Sequence, residues 1–140
     1  MITKGVCMDQ NADSSGAVNQ PPQPTKSAES YADQLATQLR KGFLAYCVLV
    51  ICAQQPHYTG DLVKRLHQAE LVVVEGTIYP LLGRLQRDGL LRYDWQESEQ
   101  GPPRKYYALT EYGQHVMIEL KQRIRTLSST LKTLEKGAKS

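Results

Sequence analysis

Two groups of side chains in this 140-residue chain have the chemistry to meet a nucleic-acid duplex. The first is Gly76, Thr77, Ile78, Tyr79 and Pro80, followed by Gly83, Arg84 and Arg87. A Thr hydroxyl or methyl and a Tyr hydroxyl on the first turn of a helix can reach base edges in a major groove. The start of that helix also offers free backbone donors and a positive dipole end to a phosphate. Pro80 suits a first turn, whose amides lack helical partners. Gly83, on the same outward face, leaves room for the DNA backbone, with Arg84 and Arg87 flanking it as phosphate contacts. The second group is Gly101, Pro102, Pro103, Arg104 and Lys105. Here two cations follow a proline-stiffened turn, where a hairpin tip can meet the minor groove or its phosphates. Thr59, whose hydroxyl can cap the donors opening the preceding helix, completes the candidate set. Taken alone, Arg84 and Arg87 fit a solvated helix face, and Arg104 and Lys105 fit charges that keep a strand edge unpaired. Their shared context favours DNA.

Other chemistry finds no support. His57, His67 and His115 have no ligand spacing to one another or to a cysteine, and no nucleophile motif occurs, so neither an enzyme, a metal nor a cofactor is expected. Cys7, Cys47 and Cys52 form an odd set without paired spacing, which fits a reduced, cytoplasmic protein. Cys47 and Cys52 are too far apart on a helix to share a face, so core packing is expected and thiol sensing is the alternative. The longest apolar run, Phe43 to Ala53, is shorter than the roughly 18 to 20 residues that span a bilayer. No secretory pattern follows Lys4, and no membrane partner is expected. A net charge of +3 and a pI near 8.8 permit nucleic-acid binding without demanding it.

The elements that must hold these residues follow from periodicity. Residues 1–29 are polar and Pro-containing, too poor in large apolar side chains to offset ordering entropy, and read as a disordered tail. From Ser30 a helix carries Leu35, Leu39, Phe43, Tyr46, Val50 and Ile51 and becomes apolar all round before Pro56, which signals burial on more than one side. A second helix starts near Thr59. A third runs from about Gly76 to Asp88, with Ile78, Leu81, Leu82 and Leu85 inward and Gly89 as a left-handed cap. Leu91, Tyr93 and Trp95 then alternate as a strand, with Trp95 expected in the core at the root of the hairpin. Tyr106, Tyr107 and Leu109 supply the returning strand, one tyrosine being buried. Residues 97–103 read as a polar loop too long for a two-residue turn. A last helix, capped by Thr110, continues to about Lys136 with Met117, Leu120, Ile124, Leu127, Leu131 and Leu134 at alternating spacings of three and four. The fold class is therefore mainly α with a small two-stranded hairpin: a winged helix-turn-helix over residues 30–109, a dimerisation helix over 110–136, and a short tail over 137–140. Leu39, Phe43 and Tyr46, with the seam from Met117 to Leu134, are the expected homodimer interface.

Gly76, Thr77, Ile78, Tyr79, Pro80, Leu81, Leu82, then Arg84, Leu85, Asp88, Gly89, Leu90, and finally Gly101, Pro102, Pro103, Arg104, Lys105, Tyr106, Tyr107, Leu109, Thr110 and Gly113 resemble the PadR family of bacterial transcriptional regulators, over roughly residues 38–134. The single last helix resembles its short subfamily. The resemblance implies a homodimeric repressor whose third helices and wings meet the two halves of a near-palindromic operator, and whose last helix exchanges contacts with the partner's first helix. Two positions depart from the pattern. Tyr58, Thr59, Gly60 and Asp61 stand where members often carry Tyr-Gly-Tyr-Glu. Ile124 stands where multidrug-binding members place an aromatic that stacks on flat ligands. The expected function is thus regulation through a double-stranded DNA operator, with an unidentified small-molecule effector. A winged-helix protein-interaction module without DNA function is the alternative, alongside the thiol sensor.

Overall fold

The computed structural model of the chain describes residues 19–71 and 73–138. Cys7 and most of the expected tail lie outside them. Six elements follow in order: α1 (Ala28–Gln54), α2 (Thr59–Gln68), α3 (Glu75–Arg87), β1 (Leu91–Ser98), β2 (Gly101–Leu109) and α4 (Glu111–Ala138). Four helices and one two-stranded antiparallel sheet make the mainly helical winged helix-turn-helix that the periodicity predicts.

The chain divides into two compact units at Ala36 and Thr37. In the first, residues 19–27 are exposed and form neither helix nor strand. The Ser27 hydroxyl accepts the Ser30 N–H at 3.0 Å, so α1 begins just ahead of the apolar pattern. In the second unit, Leu44, Val48, Leu49 and Cys52 of α1 meet Leu62 and Leu66 of α2, the inward stripe of α3, and Leu91 and Tyr107 of the sheet. Each fully buried leucine or isoleucine here contributes on the order of 1.5–3 kcal/mol, which fixes α3 by its inner face. By length and composition α1 is apolar enough to cross a bilayer, more than the run from Phe43 to Ala53 suggested. In this unit its inward residues serve the core.

The helix ends set the helix-turn-helix. At the close of α3, the Leu90 N–H donates to Leu85 (2.9 Å) and the Gly89 N–H to Gln86 (3.1 Å), with Gly89 at φ +86 as expected. The same pattern closes α2, where Leu71 donates to Leu66 (2.8 Å) and Glu70 to His67 (2.9 Å). There the left-handed position, φ 65, is filled by Glu70 rather than glycine. His67 Nε2 donates to the Val73 carbonyl at 2.9 Å and braces the connection to α3. Thr110 caps α4 as predicted, its Oγ1 accepting the Gly113 N–H at 2.9 Å and donating to the Gly89 carbonyl at 2.6 Å. A Cβ on Gly113 would lie 2.2 Å from the Leu90 carbonyl oxygen, so this close seat of α4 on the hairpin root requires glycine.

The hairpin corrects two expectations. Residues 97–103 are not a long loop: β1 reaches Ser98 and β2 starts at Gly101, leaving Glu99 and Gln100 to turn. Ser98 pairs with Gly101 and Gln96 with Arg104, so Pro102 and Pro103 together face Glu97 in a bulge. A bulge asks no ladder hydrogen bond of them, which is how two prolines fit inside a strand. Gly101, at φ +154, adopts a backbone that favours glycine. Trp95 is not in the core either, being 61% exposed. The core ends at Leu91 and Tyr107, and the hairpin projects past it.

Candidate nucleic-acid interface

α3 begins after Val74, whose extended backbone (ψ 156) forms the cap without a side-chain hydrogen bond. The Thr77 and Ile78 N–H groups donate back to the Val74 carbonyl (2.9 and 3.2 Å), so the leading amides of Glu75 and Gly76 are the ones left for an outside acceptor. With Ile78, Leu81, Leu82 and Leu85 buried, Gly76, Thr77, Tyr79, Pro80, Arg84 and Arg87 are exposed and Gly83 is half-buried. Tyr79 and Pro80 stand just past the first turn rather than in it, because the helix starts at Glu75, one residue ahead of the expected Gly76. Pro80 therefore removes a real intrahelical bond, the one to the Gly76 carbonyl. That carbonyl sits at the exposed start of the helix, within reach of outside donors. A Cβ on Gly76 would meet nothing within 4 Å, and one on Gly83 only the Arg87 guanidinium at 3.5 Å. The chain's own packing requires glycine at neither place.

The hairpin's cations are braced by aromatic rings. The Arg104 guanidinium lies 4.3 Å over the Tyr58 ring, and Tyr58 packs on Tyr106 at 5.5 Å. Lys105 Nζ lies 4.3 Å over Tyr93 and 5.5 Å from Trp95, which meets Tyr93 edge-on. Such cation–π contacts hold a charge in place without neutralising it. A backbone bridge ties the hairpin to α2: the His57 N–H donates to Tyr107 (3.0 Å) and the Tyr107 N–H to His57 (2.8 Å). His57 is buried, its Nδ1 donating to the Gln55 carbonyl at 2.7 Å and its Nε2 3.4 Å from the Asp61 carboxylate. Between the start of α2, the start of α3 and the hairpin lies a groove of about 460 Å³, lined among others by Tyr58, Gly60, Tyr79, Trp95, Arg104 and Lys105.

Thr59 differs from its expected role. Tyr58 takes the extended cap position without a side-chain hydrogen bond, and Thr59 becomes the first helical residue with its side chain turned inward and buried. Its hydroxyl therefore does not cap, and Thr59, though buried, is part of the lining of the groove. Sequence reasoning also missed Tyr58 and Trp95 as walls of the groove and His57 as its bracket. No spacing in the chain links residue 57 to 107 or residue 58 to 104. An exposed indole on a hairpin is visible only once the core's limit is known.

Arg84, Arg87 and Arg104 are exposed and, among the described residues, none is ion-paired to a carboxylate. Arg92 differs, with Asp94 at 3.6 Å. Burial pushes the Cys52 thiol up to about 12 and raises that of Cys47 as well. Both stay protonated at neutral pH, which removes the nucleophilic thiolate a sensor needs. Tyr107 is raised too, first by burial and then by Tyr79, Tyr93 and Cys52 nearby.

Residues 48–119 match the transcriptional regulator PadR-like family. Among solved structures, a PadR-like transcription factor from Bacteroides fragilis is 46% identical with a TM-score of 0.63, the match covering 72% of this chain and 98% of that one. A PadR-like transcriptional regulator from Bacillus cereus is 38% identical with a TM-score of 0.63, over 69% and 95% of the two chains. A PadR family transcriptional regulator from Eggerthella lenta is 33% identical with a TM-score of 0.67, over 76% and 96%. No curated protein matches. With this geometry and these relatives, the chain belongs to the PadR-like family of transcriptional regulators, which act by binding DNA.

Proposed function

We propose that the protein is a homodimeric repressor, acting in the cytoplasm, that reads a near-palindromic double-stranded operator and is released by a small-molecule effector. The observation that carries this is the outward face of α3: a surface of Gly76, Pro80 and Gly83 beside unpaired arginines, next to a hairpin whose cations are held by aromatic rings. Thr77 and Tyr79 reach base edges in the major groove, Gly76 and Gly83 let the helix approach, and Arg84 and Arg87 take phosphates. Gly101 lets the hairpin turn tightly, so that Arg104 and Lys105 reach the minor groove or its rim.

Dimerisation rests on apolar side chains the subunit leaves uncovered. Leu39, Phe43, Leu127, Leu131 and Leu134 are exposed, Leu39 by 77%. Tyr46, Leu120 and Ile124 are half-buried, while Met117 packs partly on the subunit's own core. A second copy of α1 and α4 covers these faces and sets two α3 helices about 34 Å apart, one per successive major groove. An effector that changes the angle between subunits breaks that match. Its class is tested by calorimetry with phenolic and cationic aromatic compounds, where a uniform lack of heat counts against a small-molecule inducer.

The DNA contacts are tested by gel shift over a range of salt. Arg84→Ala and Arg104→Ala are each expected to weaken binding and to flatten the salt dependence by about 0.9 in log–log slope per lost phosphate contact. Unchanged binding in both removes them as contacts.

A further inference from the structure

The hairpin gives α3 a cationic wall on one flank only. On the other flank stands α1, and two adjoining hollows run between them. One is lined by Thr37, Arg40, Lys41, Leu44, Val74 and Thr77, among others. The next, about 290 Å³, is lined by Lys41, Leu44, Thr77, Pro80, Leu81 and Arg84. Lys41 and Thr77 belong to both, so the hollows form one trough from the start of α3 to its middle. Neither hollow has a carboxylate in its lining. The groove on the hairpin side, by contrast, includes Glu75. Arg40 and Lys41 are exposed and, among the described residues, lack an ion-pair partner.

Helix geometry explains why these two cations point here. At about 100° per residue, Lys41 shares the α1 face of Leu44 and Val48, which are buried, with Arg40 at its border. One turn before Leu44 that face has passed the end of the core and overhangs α3 instead. Leu39, Phe43 and Tyr46 lie on the opposite side of the helix, so the proposed dimer face and this trough do not compete.

A helix seated in a major groove about 12 Å wide has a sugar–phosphate backbone on each side. We infer that Arg40 and Lys41 form a second phosphate-binding site, with Arg84, for the strand on the flank of α3 away from the hairpin. The inference rests on the reading of α3 as the DNA-contacting helix and extends it to α1. The two flanks then clamp the helix in register: Arg104 and Lys105 take one backbone, Arg40 and Lys41 the other.

The test uses the full-length protein and a duplex recovered by selection from a random-sequence library, with wild type, Arg40→Ala/Lys41→Ala and Arg104→Ala compared by salt-dependent binding and phosphate-ethylation interference. Both variants change exposed side chains, and circular dichroism checks that each stays folded. The double variant is expected to lose at least about tenfold in affinity near physiological salt, and to flatten the log–log salt slope by about 0.9 for each phosphate contact removed. Ethylation sensitivity should vanish at phosphates on the flank away from the hairpin and persist at those lost in Arg104→Ala. A double variant with wild-type slope and interference pattern, while Arg104→Ala is impaired, overturns the α1 site and leaves the DNA reading standing. Wild-type protein that selects and binds no duplex overturns both.

Discussion

Single side chains carry two consequences that separate function from folding. Gly83 sits mid-helix, where glycine is about 1 kcal/mol less favourable than alanine, and its Cβ position is open except for the flexible end of Arg87. Gly83→Ala is therefore expected to raise stability by up to about 1 kcal/mol in urea melts and to weaken DNA binding in the same preparation. Tighter or equal binding by that variant contradicts a close approach at this position. Cys52 gives the second. Its thiol is raised from an ordinary 9.0 to about 12 by burial, so below pH 9 both folded and unfolded chains hold the proton and nothing is lost. As pH rises from 9 towards 12 only the unfolded chain releases it, and stability falls by up to about 1.4 kcal/mol per pH unit, with buried Tyr107 adding to the fall above 10. Urea melts at pH 8 and 10.5 should show that fall, and Cys52→Ala should make it shallower; an identical fall in both proteins excludes Cys52 as its source. The outward residues of α3 were legible in the sequence because helical period alone sorts Ile78 from Thr77. Arg40 and Lys41 were not, because what they overhang is a different helix, and periodicity describes one helix at a time.

The elements were legible wherever a local rule decides them. Gly89 ends α3 in the left-handed region, Thr110 caps α4, and the inward stripe of α3 enters the core as its period predicts, whereas α1 buries Leu44, Val48, Leu49 and Cys52 and leaves the Leu35, Leu39 and Phe43 read from its spacing exposed. The hairpin was misread because Gly101, Pro102 and Pro103 carry turn chemistry in a place where the chain uses them for a bulge. Thr59 was misread for a related reason: threonine is a good cap, yet Tyr58 takes the cap position and Thr59 is needed inside. The end of α2 holds a residue no rule would select. Glu70 sits at φ 65, where a side chain costs about 1 kcal/mol or more, and it does so in the connection that aims α3. Glu70→Gly is expected to stabilise the fold by about 0.5–1 kcal/mol, read as a shift of the urea midpoint at unchanged slope. A destabilised Glu70→Gly contradicts strain at that position.

In the proposed dimer each subunit reads half a site, so the account depends on a second copy. The exposed leucines of α4 are the apolar side chains that the proposed second copy covers. Leu131→Asp, on a face 54% exposed in the subunit, should leave the isolated fold intact by circular dichroism and shift sedimentation from dimer to monomer. A dimer that survives it locates the interface elsewhere. DNA affinity should fall with the monomer, since two half-sites bound by one dimer become two independent and weaker events. The decisive measurement is hydroxyl-radical footprinting of the wild-type protein on a selected duplex. The account predicts two protected half-sites related by a two-fold axis and centred about 34–36 Å apart, roughly 10 base pairs, with protection extending from each major groove into the neighbouring minor groove. A single unpaired half-site, or no protected segment at protein concentrations that saturate the duplex, would contradict it.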